Sequence, residues 1–427
     1  MYGGKGKKFH SSVKRKGIYI KIKIDNHQGG TTMPKAIEVK DGIYYVGHKD
    51  WIVRNFHGYT TSRGSSYNAY LIRDEKNVLV DTVKAPYAEE LIENVSRIID
   101  PSKIDFVLSN HTEPDHSGSM PAVMEAMPNA TVIATAAGEK GLKKYYGGDD
   151  WKFQVVKNGD SMSIGKRSLV FVPTPMVHWP DSLATYVPEE KLIFTMDAFG
   201  QHFATSSYYD DEVDYSELML EAKKYYANIV MHLGNVIKKV LPAVEALDID
   251  MMAPSHGLIW RKHIPDIIAR YKAWTECKPS AKVLVIYDSM WHSTEMMAHA
   301  IYDGANKTGI NVRLIDLKSN DLTDIVTDVL DAGAVIVGSP TLNNGMMPTV
   351  SAFLTYMKGL KPTNKIGFAF GSHGWAGGGA KAVNEELVKT GIEIVRDPLT
   401  CVFRPEQQVL DECIQLGSGI ADRVAAL

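Results

Sequence analysis

With 427 residues, 44% apolar and 23% charged, the chain is long enough for two or three packed domains and has the balance of a soluble globular protein, not a disordered or fibrous one. A formal net charge of -3 gives no general attraction for nucleic acid or an anionic membrane, and no apolar run approaches the roughly 18 residues that a membrane-spanning helix requires. Three scattered cysteines, Cys277, Cys401 and Cys413, form no C-x-x-C pair, which argues against a disulfide framework, an iron-sulfur cluster or a cysteine-held metal.

Residues 1–32 are basic and lack the apolar centre and cleavage site of a signal peptide, so a flexible extension and a cytoplasmic protein are expected. Regular patterning begins at Met33. IEVKDGIYYVG carries an Asp41-Gly42 turn between apolar flanks, NAYLIRDEKNVLVDTV reads as a hairpin, and the stretch from Arg167 to Gly200 as several strands. Helices are expected over 88–99, after SGSMP, and over 216–246. This is an α/β plan with much antiparallel pairing, unlike a doubly wound sheet. Around Lys278-Pro279-Ser280 the character changes to βα alternation: AKVLVIYDS, AGAVIVGSP and KIGFAFGS each precede a helix. The boundary is placed there, giving units 33–277 and 281–427.

SNHTEPDHSGSMP follows the buried-strand pattern IDFVL and packs His111, Glu113, Asp115 and His116 into six positions. In an extended segment the first three would project from one side, as metal ligands must. Further candidates close later strand patterns: His178 in PTPMVHWPDS, Asp197 in IFTMDAFG and His256 in APSHGLIW. A strand-end acid such as Asp197 is costly to bury unpaired, and a pair of cations would compensate it. For any one of these residues a satisfied polar turn would suffice; together they point to a two-metal site.

In the second unit, VLVIYDSMWHSTEMMAHAI reads as strand, loop and helix. Ser289, Ser293 and Thr294 offer hydroxyls, and the helix start offers backbone N–H groups, to a phosphate. Neither G-x-x-x-x-G-K-[ST] nor G-x-G-x-x-G is present, so a phosphate monoester such as that of FMN fits better than a nucleotide triphosphate or dinucleotide. The expected contacts are Ser289, Met290, Trp291, His292, Ser293 and Thr294 in the first loop, Pro340, Thr341, Leu342, Asn343, Asn344 and Gly345 in the second, and Ser372, His373, Gly374, Trp375, Ala376 and Gly377 in the third. Trp291 and Trp375 supply flat apolar surfaces for the flavin ring.

The run H-x-E-x-D-H followed by His178, Asp197 and His256, with HGYTTSRGSSYNAYLI, MVHWPDSLATY and DAFGQH, resembles the flavodiiron proteins over nearly everything from Met33 onward. The resemblance implies a metallo-β-lactamase-like αβ/βα sandwich followed by a flavodoxin-like doubly wound parallel sheet. It implies two non-haem irons, one on His111, Glu113 and His178, the other on Asp115 and His256, with Asp197 bridging. His116 is either a further ligand of the second iron or a close neighbour. The gap before His256 is slightly shorter than the family's, as a loop deletion would make it. Zinc hydrolases of this fold show His where Glu113 stands, and a harder anionic oxygen favours iron. His57, Trp179 and His202 fall in segments that line the family's pocket, with His57 placed to donate a proton. In the first loop, His292 replaces the glycine usual in flavodoxins.

The implied function is reduction of dioxygen to water, of nitric oxide to nitrous oxide, or both, with electrons relayed through FMN from an external donor, a rubredoxin or a reduced deazaflavin. The implied assembly is a head-to-tail homodimer or a dimer of such dimers, with neither nucleic acid nor membrane as a partner. The alternative is a zinc-dependent hydrolase of the same fold carrying a redox-sensing flavin domain. An electron-carrier module would explain only the second unit.

Overall fold

Turn chemistry and alternation build the first sheet. In the computed structural model, which describes residues 37–427, the chain folds back at Asp41-Gly42, where Gly42 adopts a φ of 67° that glycine tolerates without strain. Ile37–Lys40 and Ile43–Tyr45 therefore pair antiparallel, and Tyr70–Ile72 and Val78–Val80 continue the pattern. From there Phe106–Leu108, Thr131–Ala134 and Phe153–Val155 add in parallel, each return containing a helix. The extension expected over 1–32 lies outside the described residues.

The second sheet is antiparallel through Ser161–Ser163, Ser168–Pro173, Leu183–Val187 and Leu192–Met196, and gains Met251–Pro254 in parallel at its edge. The two sheets meet face to face. Ile43, Ile72, Val80 and Leu108 pack with Leu169, Phe171, Leu183 and Phe194 in one buried cluster, each such side chain contributing about 1.5–3 kcal/mol on leaving water. Helices cover both outer faces. Leu91, Val95, Val123 and Leu142 lie on the first sheet's outer residues Leu71, Leu79, Val107 and Val132, while Ile237, Leu241, Ile267 and Tyr271 lie on Ile193 and Met252 of the second. The layers are those of the expected αβ/βα sandwich.

The third sheet is parallel throughout. Lys282–Tyr287 lies between Asn311–Asp316 and Ala334–Gly338, followed by Ile366–Gly367 with Ala369–His373, then Glu393–Ile394 with Leu399–Val402. This is the flavodoxin-like doubly wound order. Its central strands are buried on both faces: Val283 and Val285 meet Met297, Ile301 and Ile420 on one side, Leu284 and Ile286 meet Val326, Val350 and Phe353 on the other. The latter cluster runs unbroken into the helices of the second sheet. Hydrogen bonds tie the same seam, Thr60 Oγ1 donating to Asp321 at 2.7 Å and Tyr356 OH to Asn228 at 2.8 Å.

Two local expectations are corrected. The helix expected over 216–246 is four pieces: Tyr215–Tyr225, a π turn Tyr226–Val230, a tight turn Met231–Leu233, and Gly234–Glu245. The last begins at a glycine because an added Cβ there would sit 2.8 Å from Thr275 O. The segment after IDFVL is not extended through Asp115. Pro114, with its fixed φ and no N–H, starts the helical turn Pro114–Ser117, which carries Asp115 and His116 away from the direction of Glu113.

Candidate functional site

All seven expected donors gather at the carboxyl ends of strands from both sheets of the sandwich. His111 and Glu113 follow Phe106–Leu108, His178 lies in the loop after Ser168–Pro173, Asp197 directly follows Leu192–Met196, and His256 follows Met251–Pro254. Met196 takes a φ of 59°, uncommon for a residue with a Cβ, where the chain leaves the strand at Asp197. His178 is partly exposed; the other six are buried.

The donors fall into two groups capable of holding a metal: His111, Glu113, His178 and Asp197 in one, Asp115, His116 and His256 in the other. Asp197 faces both. Its Oδ2 lies 2.9 Å from His178 Nε2 and 3.5 Å from His111 Nε2, while its Oδ1 lies 3.0 Å from His116 Nε2 and 3.3 Å from His256 Nε2. Glu113 Oε2 stands 3.2 Å from both His111 and His178, and Asp115 Oδ2 3.2 Å from both His116 and His256.

The electrostatics suit a site that binds cations. Burial alone would push the His111 imidazole down, but hydrogen bonds to Asp181 and Glu113 and the charge of Asp197 carry it up to about 10. His178 likewise reaches about 10 against its burial, through Asp197 and Glu113, and His116 about 9 through Asp115 and Asp197. The carboxyls move the other way despite burial. Hydrogen bonds from His111 and His178 bring Glu113 down to about 2, His116 and His256 bring Asp115 to about 2, and Asp197 is held well below the usual carboxylate range by His116 and His178. Protons on imidazoles thus balance three buried carboxylates, a role that divalent cations can take over. Both oxygens of Asp115 are buried without a hydrogen-bond partner, as befits a carboxylate whose partner is a metal.

Outer groups set the ring orientations. His111 Nδ1 is 3.0 Å from Asp181 Oδ2, which also accepts from Thr112 N at 2.7 Å, and His256 Nδ1 donates to Ser66 O at 2.6 Å. Both arrangements leave Nε2 free to face the centre. Trp179 meets His111 edge-on at 5.1 Å. His57 Nε2 is 3.0 Å from Glu113 Oε1 and half exposed, in a surface depression of about 390 Å³ shared with Lys84, Asp115 and Tyr146. His202 is buried between Tyr59 OH at 2.8 Å and Ser65 Oγ at 2.7 Å, with its ring 4.8 Å from that of His256. Asp181 and Lys84 were not singled out in the sequence. Asp181 sits three positions after His178 in a polar loop, and that proximity was its one signal.

At the carboxyl edge of the third sheet the three loops enclose a cleft of about 580 Å³. Met290, Trp291, Ser293, Pro340, Thr341, Asn343, Asn344, Ser372, His373, Gly374, Trp375 and Ala376 line it, as do Phe403 and Arg404, which carried no sequence signal. Leu342 and Gly345 close a tight turn on each other's backbone, with Asn343 and Asn344 at φ of 48° and 63°. Ser289, His292, Thr294, Leu342, Gly345 and Gly377 stand outside the lining; Thr294 Oγ1 meets Ser372 Oγ at 2.9 Å, and Ser289 Oγ is buried with no partner. His292 takes the left-handed φ of 64° that explains glycine in other flavodoxin loops, and its ring pairs with Glu295 at 2.6 Å outside the cleft. Trp291 and Trp375 are 85% and 96% exposed. An unsatisfied hydroxyl at the helix-start loop and bare indole faces beside a cleft of this size suit a phosphate-bearing aromatic ligand.

A metallo-β-lactamase-like sandwich with a two-metal donor set, continued by a flavodoxin-like sheet with an aromatic-flanked cleft, defines a two-centre protein. Residues 66–257 match the family described as ODP family beta lactamase, and residues 285–417 match flavodoxin. The chain is 48% identical over 398 residues to a nitric oxide reductase of Moorella thermoacetica, covering 92% of this chain and 100% of the relative. The flavodiiron protein of Giardia intestinalis superposes with a TM-score of 0.90 at 37% identity, over 93% of this chain and 98% of that one. Rubredoxin oxygen:oxidoreductase from Desulfovibrio gigas does so with 0.89 at 39%, over 92% and 99%. The chain belongs to the flavodiiron proteins.

Proposed function

We infer that this protein is an oxidoreductase that reduces dioxygen to water, nitric oxide to nitrous oxide, or both. The observation that carries this is Asp197, whose two oxygens face two separate donor groups. His111, Glu113 and His178 would hold one iron, Asp115, His116 and His256 the other, and Asp197 would bridge them. The loops 289–294, 340–345 and 372–377 would hold FMN. Held there, FMN would supply an electron relay from a donor, and the iron pair would supply a reducing site for the gas.

The chain's own groups set the conditions. Asp181 and Ser66 O keep His111 and His256 in the tautomer whose Nε2 faces inward. His57, at the open side and 3.0 Å from Glu113, is placed to hand a proton inward from solvent. Residues 33–277 and 281–427 act as the metal and flavin units. The electron donor in this reading is a rubredoxin, the partner that the name of the Desulfovibrio gigas relative gives for that protein, or a reduced deazaflavin. In this reading the protein works in the cytoplasm as a head-to-tail homodimer or a dimer of dimers.

Metal and flavin quantification followed by anaerobic stopped-flow of the reduced protein against each gas tests the function. About two irons and one FMN per chain, with flavin reoxidation by at least one gas, is expected. Full activity with zinc and no iron would overturn it.

A further inference from the structure

The helix Gly234–Glu245 does not lie flush on the second sheet. Beneath it is a cavity of about 30 Å³ walled by Val177, Ala184, Ile193, Ile237, Leu241 and Tyr271 among others, and only Ala198 and Val240 of its lining keep partial exposure. A water needs roughly 10–15 Å³, so the space admits a molecule of two heavy atoms. No charged group lines it. Three hydroxyls reach the lining, those of Thr174, Thr195 and Tyr271, and two are already engaged: Thr195 Oγ1 donates to Ala198 O at 2.8 Å, and Tyr271 OH accepts from Phe199 N at 2.7 Å. Such a cavity offers water too few partners and favours an apolar guest.

Its place in the chain is what gives it meaning. Val177 immediately precedes His178, and Ala198 and Phe199 are the two residues after Asp197, so part of the wall is built from chain neighbours of two donors of the first metal-capable group. Interiors are packed to crystal-like density, and a void costs stability unless something occupies it. We propose that this cavity is a binding site for the small apolar diatomic substrate, O2 or NO, holding it beside the metal centre; the identity of the guest rests on the function inferred above. Both gases dissolve better in apolar surroundings than in water, so the cavity raises their concentration next to the donors without a hydrogen bond.

Crystals of the iron- and FMN-loaded protein pressurised with xenon give a direct readout. Xenon is expected in the cavity of the wild type and absent from Ala184→Leu, which fills it. In solution the same variant should show a KM for the gas raised about fivefold at unchanged kcat, the signature of lost ground-state binding. Should Ala184→Leu fail to fold, Val240→Phe fills the space from the helix side and is read the same way. No xenon in the wild type, ordered water in its place, or an unchanged KM with the cavity filled would overturn the proposal. Xenon bound in a protein that reduces neither gas would leave the cavity standing as an apolar-gas site and refute the catalytic function instead.

Discussion

The metal centre lies buried at the strand ends of the two packed sheets with three carboxylates balanced by imidazoles, whereas the flavin cleft lies open between loops, with Trp291 and Trp375 85% and 96% exposed. A buried charged site must be compensated before any ligand arrives, because an unpaired carboxylate away from water is costly. An open cleft needs no such provision; it leaves surface bare, the two indoles above all, that a ligand covers. Loss of metal is therefore expected to change the protonation and stability of the whole sandwich, and loss of flavin to act locally.

Removing the shared anion is the largest perturbation. Asp197→Ala leaves two cations to repel each other across a gap, so iron content and gas reduction are expected to fall by more than the roughly 100-fold upper range for groups that merely orient ligands, while FMN stays bound. Metal analysis and flavin absorbance on one preparation check both. Full iron and full activity would show Asp197 to be only a strand-end acid.

Protonation distinguishes the two regions next. In the metal-free protein His111 and His178 stand near 10 and His116 near 9, above the ordinary 6.5. A folded pKa raised above the unfolded one gives stability that is complete below pH 6.5 and is lost as pH rises through 9 to 10. Glu113 and Asp115, lowered to about 2, give stability present above their ordinary values of 4.5 and 3.8 and lost as pH falls toward 2. Denaturant titration of chelator-stripped protein is expected to show lower stability at pH 9 than at pH 6. Metal uptake at pH 7 should release protons to an indicator dye. Flavin binding should release none.

Smaller effects follow from single hydrogen bonds. Asp181→Ala frees the His111 ring and should weaken iron affinity about 10- to 100-fold without moving flavin affinity, as metal titration would show. Ser289→Ala removes a hydroxyl that is buried with no partner. A hydrogen bond to a charged phosphate is worth about 1.5–3 kcal/mol, so FMN affinity should fall on the order of 10- to 100-fold, with iron content unchanged. Flavin fluorescence titration measures it, and equal affinity would place the phosphate elsewhere.

The same contrast governs what could be read from sequence. The donors were legible because His111, Glu113, Asp115 and His116 crowd one strand end and Asp197 closes another, a pattern that solvation alone does not produce. The third sheet was legible because its strands are continuous apolar runs. Asp181 and Lys84 were not, since they reach the centre only through tertiary packing and lie in no periodic pattern. Phe403 and Arg404 join the cleft because the last strand pairs beside Ala369–His373, a topological fact that no local signal carries. The π turn at Tyr226–Val230 was hidden because its residues include neither Gly nor Pro to mark a break in the helix.

His292 yields the smallest and most discriminating expectation. It stands in the first flavin loop, where a phosphate contact was expected, yet its ring pairs with Glu295 outside the cleft and its backbone holds a φ of 64°. A left-handed conformation costs a residue with a Cβ about 1–2 kcal/mol that glycine avoids, partly offset by glycine's larger loss of freedom on folding, about 0.5–1 kcal/mol. His292→Gly is therefore expected to stabilise the flavin-free protein by no more than about 1.5 kcal/mol and to leave FMN affinity within about threefold of wild type, since the loop's amides keep their direction. Differential scanning calorimetry and flavin titration on the same variant read the two effects separately. A tenfold loss of FMN affinity would mean that the imidazole turns inward to the phosphate when flavin binds, and the first loop would then be shaped by its ligand and not by its own backbone.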